Sequence, residues 1–169
     1  MKSAQTLITV LLILATTSWL VADEEGQKYL DQATEAKLNA RNFQQLEDVV
    51  NLAEKAIEEG LDEDGKEFAT QLITATLYQR AEQISNPLLS GRPPQQWVEM
   101  RRLALSDLVR LTKLNDEFAD AHLLIAKLQV LPGGDRKSGI ESATKAFQQY
   151  EDAEQKANAL IARAALRSD

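Results

Sequence analysis

The sequence predicts an all-α fold built from stacked helical hairpins, on three observations. The motif Leu123–Lys127 returns as Ala159–Arg163 thirty-six residues later, and a looser copy, Leu72–Thr76, lies fifty-one residues before the first. Apolar residues recur at three- and four-residue steps, and the few glycines and prolines fall between these segments. Because recurrence near thirty-four residues marks an array of helix–turn–helix units, we predict a short right-handed α-solenoid of about three hairpins plus a closing helix. A compact helical bundle is the alternative, although it would not require the recurrence.

The first predicted hairpin ends at Gly60. Its first helix runs from Glu25 to about Ala40, and a turn at Arg41-Asn42 leads into the second helix. Glycine adopts positive φ without steric cost, so Gly60 favours a left-handed cap at the end of that helix. The second helix carries a stripe of apolar residues at helical spacing, formed by Phe43, Leu46, Val49, Val50, Ala53 and Ile57.

The second predicted hairpin contains a proline-rich loop. Helix three covers about Glu63–Ile84, and Asn86-Pro87 ends it. Its apolar residues spread round more than one face, which is typical of a helix flanked on two sides. Helix four begins near Gln95, after the loop Ser90–Pro94. Its apolar stripe consists of Trp97, Met100, Leu103, Ala104, Leu108, Leu111 and Leu114.

The third predicted hairpin and the closing helix follow a short break. Helix five spans Ala119–Leu131 and stops at Pro132–Gly134, and helix six covers about Arg136–Tyr150. Helix seven, Ala153–Leu166, is rich in alanine and closes the array. The residues of helix six that we expect to face inward are Ile140, Ala143, Ala146 and Phe147.

The N-terminus has the features of a secretory signal. A basic start at Lys2 precedes the apolar run Leu7–Val21, and Ala22 is followed by an acidic stretch from Asp23. This pattern predicts cleavage between Ala22 and Asp23, which makes residues 1–22 a signal peptide and residues 23–169 the mature domain. An uncleaved membrane anchor is the alternative, but fifteen residues interrupted by polar ones are short of the about 20 that span a bilayer. We therefore expect export to the periplasm or the medium, without stable membrane insertion after cleavage.

Composition excludes several kinds of chemistry. The chain has no cysteine, so thiol catalysis, disulfides and thiolate metal sites are impossible. Removal of the leader takes away one charged residue, Lys2, and leaves 18 basic and 26 acidic side chains with a net charge of −8. Nucleic acids and anionic membranes are bound through dense lysine and arginine, so this balance argues against both partners.

The helical pattern after Ala119 resembles the tetratricopeptide repeat (TPR) family, of a secreted bacterial type. The family's first helix follows W-x2-L-G-x2-Y and its second follows A-x3-F-x2-A. The residues that stand in for the first pattern are His122, Ile125, Ala126 and Gln129, and those for the second are Gly139, Ala143 and Ala146. An earlier partial copy of the first pattern is Gln71, Thr74, Ala75 and Tyr78. The resemblance implies a groove lined by the first helices of successive hairpins, and a protein or peptide as its ligand.

Individual residues do not form a catalytic pattern. His122 is the one histidine in the chain, and we interpret it as a packing residue because neither cysteine nor a second histidine accompanies it. The segment Asp62–Gly65 does not have the residue spacing of a calcium-binding loop. We therefore interpret it as a turn followed by the acidic first residues of a helix, where negative charge suits the helix dipole. Trp97 is expected in the core, and Arg101 and Arg102 in ordinary surface pairs. We therefore predict a non-enzyme without cofactor or metal.

Three residues remain as candidates for binding. Thr76, Lys127 and Arg163 occupy matching positions in the three copies of the motif, so in a stacked array they would face the same groove. Two cations in a groove could receive a carboxylate from a peptide. Solvated surface cations are the alternative interpretation. The leading hypothesis is an exported interaction module or scaffold, and the alternatives are a self-assembling structural piece, with homo-oligomers, or an accessory domain of a separate enzyme, such as a redox enzyme.

Overall fold

The protein is helical wherever its structure is described. A computed structural model describes residues 24–91 and 94–168, in which all regular secondary structure is α-helix. The predicted all-α class is therefore confirmed, whereas the predicted cleavage site at Ala22 and Asp23 lies outside the described residues. The helices are α1 (residues 24–39), α2 (Phe43–Glu59), α3 (Glu63–Leu89), α4 (Trp97–Leu114), α5 (Ala119–Val130), α6 (Arg136–Gln149) and α7 (Ala153–Arg167).

Contacts divide the chain into two compact units, with the boundary inside α3 between Ile73 and Thr74. The described part of the first unit contains α1, α2 and the start of α3. Its core joins α1 and α2 to the beginning of α3 through Leu30, Ala56, Leu61 and Ala69. Within this unit α1 approaches the end of α2 closely, because a Cβ added at Gly26 would lie 1.6 Å from the carbonyl oxygen of Gly60.

The second unit contains the rest of α3 and the helices α4 to α7. Helix α5 contacts α4, α6 and α7, and α6 also contacts α7. Small side chains fill the places where α5, α6 and α7 meet, since Ala126, Ala143 and Ala159 have no exposed surface. The start of α6 is capped by the Asp135 carboxylate and that of α7 by the Asp152 carboxylate, each accepting a backbone N–H three residues later.

One predicted helix boundary, the end of α3, is wrong. Helix α3 continues through Pro87 to Leu89 instead of ending near Ile84. A proline in a last turn removes one internal hydrogen bond, and burial of Leu88, which is 2% exposed, offsets part of that loss. Helix α4 begins at Trp97, two residues after the predicted start near Gln95. The other boundaries agree with the predictions to within about two residues, which is the usual uncertainty of helix ends.

Some predicted packing positions also differ. Gly60 has the expected positive φ of 108°, but its ψ of 129° is extended and not left-handed helical. Phe43, placed on the buried stripe of α2 by its spacing, is 48% exposed because it lies at the first position of the helix. Trp97 is half-buried, not a core residue, and its ring lies 5.6 Å from the Arg101 guanidinium. None of the helices in the described ranges has the length and apolar character needed to span a membrane.

Candidate functional site

The candidate site is an open pocket in the second unit, between α5 and α7 and beside the end of α3. Its volume is about 360 Å³. Apolar side chains make most of its surface, and Lys127 and Asn158 supply the polar groups of the side chains that line it. The lining residues are Leu88, Leu89, Gly91, Lys127, Val130, Leu131, Asn158, Ile161, Ala162 and Ala165.

The pocket leaves apolar surface open to solvent. Ile161 is 66% exposed, Val130 42% and Leu89 39%, while Leu88 and Ala162 form its buried floor. Monomeric proteins seldom leave such side chains clustered in a concave place without a use for them. Concave sites with a few polar groups at the rim are the usual form of binding sites.

One arginine fixes the wall of the pocket where α5 ends. The Arg101 guanidinium of α4 donates hydrogen bonds to the carbonyl oxygens of Leu131, Pro132 and Gly133 at 3.3, 2.8 and 2.9 Å. These carbonyls follow the last turn of α5, where backbone acceptors lack helical partners. Gly133 adopts a φ of 71°, which allows the chain to turn there. Arg101 therefore holds Val130 and Leu131 in place beside the pocket.

A buried ion pair ties α3 to α4. The Arg80 guanidinium donates to a carboxylate oxygen of Asp107 at 2.6 Å, and the two side chains are 9% and 3% exposed. Asp107 stands among the charged residues of α4 in the sequence, but its carboxylate is buried. Its burial fixes the register of the two helices next to the end of α3 that borders the pocket.

Tyrosines link α5 to its neighbours. The Tyr150 hydroxyl donates to the Asp120 carboxylate at 2.5 Å, and the ring of Tyr78 lies 5.1 Å from that of Phe118. Burial raises the pKa of Tyr78 to about 12, with a further contribution from the Asp120 charge. Both the burial of Tyr150 and its hydrogen bond to Asp120 raise the pKa of Tyr150. Both phenols therefore stay neutral at physiological pH, and Tyr150 acts as a donor.

The single histidine has the packing role predicted for it. His122 is 4% exposed, and its Nε2 lies 2.9 Å from the backbone oxygen of Asp116. The Asp116 carboxylate accepts from the Lys145 ammonium at 2.6 Å, and this bond holds the pKa of Asp116 below its usual range. Together these contacts fasten the turn between α4 and α5 onto α6.

The three predicted binding residues lie in different settings. Lys127 is exposed and lines the pocket. Arg163 lies over the ring of Phe147 on α6, 5.9 Å from its centroid, and does not line the pocket. Thr76 has no exposed surface, so its side chain cannot contact a partner at the surface. Equivalent positions in the repeat differ in this way because neighbouring helices cover each copy to a different extent.

Asn158 and Arg101 are the residues that sequence reasoning missed. Asn158 corresponds to His122 in the thirty-six-residue repeat, and nothing in a neutral side chain at that position signals a pocket. Arg101 was grouped with Arg102 as a surface residue, but only Arg102 forms a simple surface pair, with Glu99. The bonds of Arg101 reach residues thirty positions away, which no local pattern reveals.

The acidic turn before α3 also behaves as predicted. The Asp62 carboxylate accepts from the backbone N–H of Gly65 at 2.7 Å, and Glu63 and Asp64 occupy the first turn of α3. In the described ranges, no group of three or more histidine and acidic residues could hold a metal ion.

No family model, curated protein or solved structure matches the chain. Function is therefore inferred from the pocket, from the charges around it and from the contacts between helices.

Proposed function

We propose that the protein is an exported, non-catalytic interaction module that binds a segment of a partner protein in the pocket between α5 and α7. The single observation that carries the proposal is the cluster of exposed apolar side chains around Lys127 and Asn158 in a concave site. Export is supported by the leader-like pattern before Asp23.

A TPR-like stacking of the second unit is part of this proposal. In an array of hairpins, a first helix contacts its own second helix and the next first helix. Helix α5 contacts α6 and α7, and α6 contacts α7, as expected if α5 and α7 are successive first helices. All but two of the pocket residues, Gly91 and Leu131, come from α3, α5 and α7, all of which are first helices in this scheme. These contacts agree with the proposed solenoid stacking of the second unit.

The chemistry of the pocket defines the ligand class. Leucine-sized side chains would cover Val130 and Ile161, and a carboxylate would be received by the Lys127 ammonium and the Asn158 amide. The ligand is then a peptide segment with apolar residues and one acidic group. Because Lys127 is exposed, the ionic contact contributes about 1 kcal/mol or less, and burial of the apolar side chains contributes most of the affinity.

Synthetic peptides test this function. Fluorescence anisotropy measures the binding of fluorescein-labelled, leucine-rich nonapeptides that contain one glutamate. The comparison peptides have the same sequences with glutamine in place of the glutamate. We expect the glutamate peptides to bind up to about 5-fold more tightly, Lys127→Ala to abolish that difference, and Val130→Asp to abolish binding. The matched controls are Lys137→Ala and Val109→Asp, because Lys137 is an exposed lysine outside the pocket and Val109 is 45% exposed on α4. Equal losses in the control and pocket variants, or no binding by any apolar peptide, would overturn the proposal.

A further inference from the structure

The face of α7 that points away from the core is apolar. The buried residues Ala159, Ala162 and Leu166 pack into the core that α7 shares with α5 and α6. On the opposite face the side chains are apolar as well, and they are exposed, Leu160 to 39% and Ile161 to 66%. We call this the outer face of α7, and it consists of Ala153, Ala157, Leu160, Ile161 and Ala164. A surface helix normally carries polar residues there, and apolar residues on two faces are typical of a helix that is covered on both sides.

The thirty-six-residue repeat gives an internal comparison for this face. Four of the five outer-face residues have equivalents on α5 that are buried, at no more than 8% exposed. These equivalents, in the order of Ala157, Leu160, Ile161 and Ala164, are Ala121, Leu124, Ile125 and Leu128. Helix α5 contacts α4 in addition to α6 and α7. The same apolar pattern is therefore covered in one copy and open to solvent in the other, which indicates that the outer face of α7 suits a further helix.

One edge of the outer face carries three cations, Lys156, Arg163 and Arg167, at positions i, i+7 and i+11. Arg167 is exposed, and the half-buried Lys156 and Arg163 each place their charged group 5.9 Å from the centroid of Phe147. An aromatic ring orients a cation but carries no net charge, so the two charges are not neutralised. In the part of the chain that the structure describes, no carboxylate forms an ion pair with any of the three. The edge is therefore positive, and it is complementary to acidic side chains.

We propose that the outer face of α7 binds an amphipathic helix of a partner protein, whose acidic residues lie along the edge that carries the three cations. Apolar side chains of that helix would cover Leu160 and Ile161, and the alanines of the outer face let the two helices approach closely. Helix α7 has 15 residues, which is enough to pack against about four turns of a partner helix. The surface shares only Ile161 with the lining of the pocket. Burial of apolar side chains supplies most of the affinity, and the cations set the preference for an acidic helix.

Two other occupants fit this face less well. If a twofold axis paired α7 antiparallel with α7 of a second copy, both copies would place their cations along the same side, where they repel. An anionic membrane would attract the cations, but helices that bind at membrane interfaces insert aromatic and large aliphatic side chains. Three of the five outer-face residues are alanines, which offer little surface for insertion. Charge and side-chain size therefore favour a helix with acidic residues.

Designed peptides test the proposal on the purified protein. The first is a fluorescein-labelled helical peptide of about five turns, with leucine and alanine on one face and glutamate along both edges. The second has lysine in place of each glutamate. Fluorescence anisotropy in about 20 mM salt should show that the glutamate peptide binds at least about 10-fold more tightly, since several exposed ion pairs each contribute a little. Equal affinities of the two peptides, or no binding of the glutamate peptide, would overturn the proposal.

Substitutions of exposed alanines locate the binding surface. Ala157→Glu and, separately, Ala164→Glu should each weaken binding of the glutamate peptide by about 10-fold or more, because a longer, negatively charged side chain then lies on the outer face. The matched control Ala75→Glu makes the same change at an exposed position of α3 and should bind normally. Circular dichroism confirms that each variant is folded. Equal binding by the outer-face and control variants would overturn the assignment to α7.

Removal of cations tests the edge. Lys156→Gln/Arg167→Gln should reduce the preference for the glutamate peptide over the lysine peptide by several-fold. The control Lys113→Gln/Lys137→Gln removes two exposed cations elsewhere and should keep the preference. The same reduction in both double variants would show that only net charge acts, and it would contradict the role of the edge.

Two further measurements address the other occupants. Sedimentation equilibrium of the protein alone and co-sedimentation with vesicles of anionic lipid compare the unmodified protein with Ala157→Glu. We expect a monomer that does not bind the vesicles; self-association or vesicle binding that Ala157→Glu abolishes would overturn the proposal. The pocket variant Val130→Asp should bind the glutamate helix like the unmodified protein, which separates this test from that of the proposed function.

Discussion

Two arginine–carboxylate ion pairs that involve α4 lie in opposite surroundings, one buried and one exposed. Arg80 and Asp107 are almost completely buried, whereas Arg102 and Glu99 pair at the exposed surface. Removing one partner of a buried pair leaves a charge away from water, which costs far more than breaking an exposed pair. The position of a charged residue in the fold, and not its presence in the sequence, therefore decides its energetic role.

Asp107→Ala should lower the free energy of unfolding by about 3–5 kcal/mol, because the Arg80 guanidinium stays buried without this carboxylate. The double variant Arg80→Met/Asp107→Leu should recover much of the loss, since neither charge is then buried. Urea unfolding followed by circular dichroism measures both. Glu99→Ala, which breaks the exposed pair, is the control and should change stability little. A loss for Asp107→Ala as small as that of the control would contradict the structural role assigned to the buried pair.

At the scale of the helices, the sequence predicts the elements well and the pocket only in part. The helical spacing of apolar residues and the positions of glycine and proline locate α2 and α4 to α7, because apolar spacing and helix capping depend on residues that are close in sequence. The extension of α3 past Pro87 depends on burial of Leu88, which is a tertiary effect. Lys127 was predicted to face a groove, and it lines the pocket. Arg163 was predicted to face the same groove, but it lies over Phe147, because a repeat position does not specify which neighbouring helix covers a side chain.

The close meeting of α5, α6 and α7 gives a prediction about one alanine. Ala126 has no exposed surface and belongs to the core that these helices share. Ala126→Leu should therefore destabilise the protein by about 1–3 kcal/mol, because three more carbon atoms cannot enter a filled core without displacing a helix. Thermal unfolding measures the effect. Ala164→Leu adds the same atoms at an exposed position of α7 and should leave the melting temperature nearly unchanged. Equal melting temperatures for the two variants would contradict the packing described for α5.

At the scale of the whole molecule, charge is distributed unevenly between the two units. Almost all of the excess negative charge lies before Thr74, on α1, α2 and the first turns of α3. Like charges in one compact unit repel one another and favour its opening. The last turn of α2 adds to this, since it contains no basic residue to complement the helix dipole. The composition of the sequence gives only the net charge of the chain. It does not show which of the two units carries that charge.

The first unit should therefore gain stability from salt more than the second. Raising NaCl from about 20 to about 500 mM shortens the screening length from roughly 20 Å to roughly 4 Å, which weakens repulsion among the exposed carboxylates. We expect amide hydrogen exchange to slow in α1 and α2, while α5 and α6, where pairs such as Lys145–Asp116 attract, slow less or exchange faster. Mass spectrometry of peptides from each unit measures the difference. Potassium chloride should act like sodium chloride if screening is the cause. An equal change in both units would show that charge asymmetry does not set their relative stability.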